Sequence, residues 1–70
     1  MSSSERYEIL QDDLESLLER IQASLDLMAK KSNPEEKRYW STRTRSELEE
    51  ARSLLHEMDQ EARAAPIQYR

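Results

Sequence analysis

The stretch Ser32-Asn33-Pro34-Glu35-Glu36 decides how this chain folds. Asn33 has a side chain suited to capping a helix N-terminus, and Pro34 then falls at the first helical position, where its missing N–H costs nothing. Glu36 falls at the third helical position, and Glu35 and Glu36 both favour the positive end of the helix dipole. Ser32 is the alternative cap. Either way a helix begins here. Just before it, Lys30-Lys31 set two cations where a preceding helix would present its negative end. Asp26 stands four residues before Lys30, in the favourable acid-first order. The Lys pair therefore reads as a local helix-ending device. Two helices joined by so short a turn are antiparallel neighbours.

Working outward toward the N-terminus, residues 1–4 read as a cap or disordered lead, and Ser2 with Glu5 matches a capping box. Helix one is expected over 5–31. Its apolar face reads Tyr7, Leu10, Leu14, Leu17, Ile21 and Met28, in steps of three and four as far as Ile21. Leu18 and Leu25 widen the stripe, and Ser24 interrupts it. Ile9 and Leu27 fall off it, as scattered surface residues or as a second contact face.

Toward the C-terminus, 32–33 form the turn and helix two is expected over 34–65. Its inward face reads Trp40 or Ser41, Thr44, Leu48, Ala51, Leu55, Met58, Ala62 and Ala65, flanked by Leu54. Asp59 and Arg63 can pair one turn apart. Pro66 ends the helix, because the residue before a proline avoids the α region, and 66–70 read as a loop or tail. Folding about residue 33 sets Ile21 near Thr44, Leu17 near Leu48, Leu14 near Ala51 and Leu10 near Leu55. The expected fold is all-α, an antiparallel two-helix hairpin. Its packing core is Tyr7, Leu10, Leu14, Leu17, Ile21, Met28, Leu48, Ala51, Leu55, Met58 and Ala62.

Composition agrees with helices. The chain has 70 residues, no Gly, no Cys and two Pro, with 37% charged and 36% hydrophobic residues and a net charge of −4. Giving up Gly suits long helices better than turns or strands. Lack of Cys excludes disulfides and thiolate metal sites, and it fits a cytosolic chain. The first residues lack a signal-peptide core, and no apolar stretch is long enough to span a bilayer. The acidic balance argues against nucleic acid. A two-helix hairpin buries only part of so wide an apolar stripe, and chains of this size need a staple, a metal or a partner. The missing surface is expected from another helix: part of a longer parent chain, a second copy, or a partner. The hairpin is then part of a three-helix bundle, or it is completed by oligomerisation.

Little in the chain points to chemistry. His56 is the single His, and no HExxH-type pair exists, so it reads as a solvated surface residue. No Ser or Thr has a His–acid relay, no Gly-rich phosphate loop is present, and no cofactor is expected. Asp12-Asp13 and Glu49-Glu50 diverge on a helix and belong to the solvated face. The sequence is not expected to be an enzyme. Lys37, Arg38, Arg43 and Arg45, with Tyr39 and Trp40 among them, form the one basic and aromatic cluster. It reads as ordinary helix surface, as a protein contact through Tyr39, Trp40 and Arg43, or as a weak lipid contact.

Leu48-Glu49-Glu50-Ala51-Arg52-Ser53-Leu54-Leu55-His56-Glu57-Met58-Asp59-Gln60-Glu61-Ala62-Arg63-Ala64-Ala65-Pro66 resembles the second N-terminal helix of the Vti family of vesicle SNAREs. Met58-Asp59, Glu61, Arg63 and Pro66 carry that likeness. Tyr7-Glu8 is similar to the family's first helix, and Glu35-Glu36-Lys37 to the start of its second. The resemblance implies the first two helices of an antiparallel, Habc-like three-helix domain. In the parent chain, a third helix, a SNARE helix with a central Gln and a C-terminal anchor would follow Arg70. It implies a regulatory and sorting role in vesicle fusion on the cytosolic face of Golgi, trans-Golgi and endosomal membranes. Partner SNAREs and a clathrin-adaptor domain are the implied partners, and the absent anchor is the implied membrane contact. The alternative is a stand-alone cytoplasmic coiled-coil hairpin that dimerises as a scaffold or adaptor.

Overall fold

The computed structural model describes residues 3–64, with side chains from Glu5 onward. It consists of two helices, α1 (Ser3–Lys30) and α2 (Pro34–Ala64), which lie against each other as an antiparallel hairpin 52 × 18 × 14 Å in extent. Helix α1 begins two residues before the expected start at Glu5 and ends one before Lys31. The capping box at Ser2, Ala65 and the Pro66 stop with its tail lie outside the described residues.

The turn is built by local chemistry. Lys31 N–H donates to the Met28 carbonyl at 3.3 Å, an i to i−3 bond that tightens the last turn of α1. The Asn33 side chain then accepts from Glu35 N–H at 2.8 Å, while the Asn33 carbonyl accepts from Lys37 N–H at 3.0 Å. Those two bonds make Asn33 the cap of α2. Lys31 Nζ reaches Glu36 across the turn at 3.8 Å. No described residue has positive φ, so a chain without Gly makes this connection without left-handed backbone.

Between the helices, Leu17 is fully buried (0% exposed) and clusters with Ile21 and Ala51, with half-buried Leu14 and Leu54 packed against them. Leu10 and Met58 are buried too, and Met28 is half-buried. The expected inward face of α2 needs correction. Leu48 (53%), Leu55 (54%) and Ala62 are exposed, as is Tyr7 on α1. In place of Leu48 and Leu55, α2 turns Glu47, Leu54 and Glu61 toward α1, beside Thr44, Ala51 and Met58.

The polar groups turned inward are partnered. Ser24 Oγ donates to Glu47 Oε1 at 2.8 Å, and both residues are buried. Thr44 Oγ1, also buried, donates back to the Trp40 carbonyl at 2.7 Å. Arg6 Nε donates to Glu61 at 3.0 Å and also faces Glu57 at 3.8 Å, while Arg20 faces Glu50 at 3.8 Å. Rotating α2 toward these groups leaves no buried side-chain polar atom unpaired among the described residues. It also moves the register: Ser24 meets Glu47 and Leu17 meets Ala51, about one helical turn further along α2 than the pairing of Ile21 with Thr44 requires.

Two variants test this seam. Leu17→Ala is expected to cost about 2–5 kcal/mol, read as a lower melting midpoint in far-UV circular dichroism. An unchanged midpoint would place the seam elsewhere. Ser24→Ala strands the buried Glu47 carboxylate and is expected to cost about 1–3 kcal/mol. Replacing both, as Ser24→Ala with Glu47→Leu, removes the unpaired group and restores most of that loss; equal losses in the single and double variants would deny the bond any role.

Candidate functional site: an exposed apolar flank and an arginine–aromatic groove

The two long sides of the hairpin differ in chemistry. On an α-helix a step of three positions and a step of four turn the side chain to opposite sides of a seam. Because α1 and α2 are antiparallel, steps of three lead to the same side of the pair on both helices, and so do steps of four. Arg20 is three beyond Leu17 and Glu50 is three beyond Glu47, and they face each other at 3.8 Å. That side is the charged flank, with Arg6, Glu57 and Glu61 further along it.

Steps of four lead to the other side. Leu18 and Leu25 follow Leu14 and Ile21 on α1; Leu48 and Leu55 follow Thr44 and Ala51 on α2. All four Leu are exposed, and half-buried Leu14 lies between them and the seam. Four large aliphatic side chains on one flank form an apolar strip along the hairpin, of the kind that marks an interaction surface. Sequence reading assigned Leu48 and Leu55 to the core because their spacing from Ala51 and Met58 is helical. It passed over Glu47 and Ser24 because neither is apolar, although Glu47 lies seven residues from both Trp40 and Leu54.

Near the turn, on the charged flank, Arg20, Tyr39, Thr42, Arg43, Ser46, Glu47 and Glu50 line an open groove of about 450 Å³. The structure brings Tyr39, Trp40 and Arg43 together. The Tyr39 and Trp40 rings meet edge to face, with centroids 5.1 Å apart and planes at 85°. The Arg43 guanidinium lies over the Trp40 ring, 5.4 Å from its centroid, and Arg43 Nη1 donates to Tyr39 Oη at 3.3 Å. Tyr39 and Arg43 are exposed, and Trp40 is half-buried. His56 lies with Glu49, Arg52, Ser53, Glu57 and Gln60 around a second shallow groove on α2. Among the described residues, no group of three or more His, Cys, Asp or Glu is arranged to hold a metal, and no helix is long and apolar enough to cross a membrane.

A hairpin of two antiparallel helices with one charged and one exposed apolar flank defines a class, the all-α helical modules. The sequence places it within that class. Residues 1–70 match the family described as vesicle transport v-SNARE protein N-terminus, and the chain belongs to that family. The family is in general not enzymatic, and its members take part in vesicle transport through SNARE helices. The curated proteins searched hold no match to the chain, and neither do the solved structures.

The exposed strip makes a stability prediction. In dilute, monomeric samples, Leu48→Gln and Leu55→Gln are each expected to shift stability by no more than about 0.5 kcal/mol, while together they lower the binding of a hydrophobic dye. A loss as large as that of Leu17→Ala would show that α1 packs on the Leu48 row.

Proposed function

We propose that this chain is the N-terminal regulatory and protein-interaction domain of a SNARE acting between the Golgi, the trans-Golgi network and endosomes, on their cytosolic face. The match to the v-SNARE N-terminal family across residues 1–70 carries the reading. The Leu18, Leu25, Leu48 and Leu55 strip supports a helix as the immediate partner, because a helix laid along it would complete a three-helix bundle. The third helix of the parent chain is the occupant this reading prefers. Regulation would follow from which helix occupies the strip, and adaptor or partner-SNARE contacts would use the surfaces that remain.

The parent protein tests it. Tagged, it is expected to overlap Golgi and endosomal markers, and deleting residues 1–70 is expected to change both its sorting and the rate at which it assembles with partner SNAREs. Residence on unrelated membranes, or sorting and assembly indifferent to the deletion, would overturn the proposal. The same strip favours one other reading, in which two copies pair through it into a four-helix scaffold. Sedimentation of the 70-residue chain separates the two: a stable dimer supports the scaffold, and a monomer whose helicity rises when the downstream segment is restored supports the SNARE domain.

A further inference from the structure

We propose that the groove beside Arg43 and Tyr39 docks an acidic segment of a partner protein. A carboxylate would pair with Arg43, and an apolar side chain would lie against the exposed Tyr39 ring. Four observations point there. The Arg43 guanidinium is held in place by the Trp40 face and the Tyr39 hydroxyl, which lowers the entropy lost when it pairs. Among the described residues no carboxylate lies within ion-pair distance of it, whereas Arg20, the other guanidinium lining the groove, faces Glu50. Of the four basic residues in 37–45, Arg43 is the one that lines the groove, where Arg20 supplies a second guanidinium. An oriented Arg beside Tyr and Trp is also the side-chain set most enriched at interface hot spots.

The same groove limits the charge of its occupant. Glu47 and Glu50 line it beside Arg20 and Arg43, and Arg20 already faces Glu50, so a doubly charged phosphate would meet two carboxylates along with the one unpaired guanidinium of Arg43. A single carboxylate pairs with Arg43 at a smaller repulsive cost, which favours an acidic peptide over a phosphopeptide or a lipid headgroup. The groove lies on the charged flank, opposite Leu48 and Leu55, and does not depend on what covers the apolar strip. The inference therefore stands apart from the SNARE reading, and either can fail alone.

The test is a selection of short random peptides displayed on phage, against chain shown by circular dichroism to be folded. A synthetic form of a selected peptide is then titrated while Trp40, the sole Trp, reports by fluorescence. Peptides with an Asp or Glu beside an apolar residue are expected to be enriched and to change the Trp40 emission. Arg43→Glu should weaken their binding at least about tenfold and shift the selection toward Lys and Arg. Arg43→Lys keeps the charge without the planar stack and should fall between, and Tyr39→Ser should weaken binding with helicity unchanged. The proposal is overturned by a selection that enriches no acidic peptide, or by one that Arg43→Glu leaves unaltered. Tighter binding of a phosphoserine form of the peptide, or of vesicles containing phosphatidylserine, would overturn it as well.

Discussion

Each helix of a hairpin can bring only a narrow stripe to its neighbour, and here both helices carry more apolar surface than one seam can take. The rotation of α2 about its own axis therefore determines everything else. Two orientations compete. One would bury Leu48 and Leu55 with Ala51 and Met58; the other buries Glu47 and Leu54 with them. The second strands two leucines in solvent, yet it supplies Glu47 to the buried Ser24 hydroxyl and brings Glu50, Glu57 and Glu61 within reach of Arg20 and Arg6. The exposed ion pairs contribute little each, and the Ser24 bond gives a partner to a carboxylate that this orientation would otherwise bury alone. The consequence is an apolar flank with no cover among the described residues.

The legible part of this fold was the part with local causes. Asn33 and Pro34 announce α2 because capping and a missing N–H act within one turn of chain, and the bonds from Glu35 and Lys37 to Asn33 are that chemistry. Leu10, Leu17 and Ile21 read as inward because α1 offers its neighbour a continuous apolar stripe. Register and rotation were not legible. They depend on which residues of α1 face which residues of α2, and a pattern read along one helix treats a Glu in the inward row as an error. Only a partner across the seam, here Ser24, makes that Glu acceptable.

Among the described residues, those that carry the family resemblance have structural duties. Met58 is buried between the helices, Glu61 receives Arg6, and Asp59 pairs with Arg63 at 2.9 Å within α2. The likeness thus lies in a segment that fixes how the distal half of the hairpin closes. That explains why it identifies the family while naming no binding residue. The exposed Leu48 and Leu55 strip and the groove around Arg43 lie apart from these residues. The aromatic and basic cluster was visible in composition, but the stacking of Arg43 on Trp40, with no carboxylate partner among the described residues, needed the helix geometry.

The strip and the groove lie on opposite flanks, so a helix packed on one leaves the other open. They share one residue with the seam: among the residues lining the groove, Glu47 alone is buried there, where it holds Ser24. The bond that keeps α2 turned with Leu48 and Leu55 outward therefore also fixes one wall of the groove. A pairing of two side chains across the seam thus sets the chemistry of both flanks, the charged one directly and the apolar one by what it leaves outside.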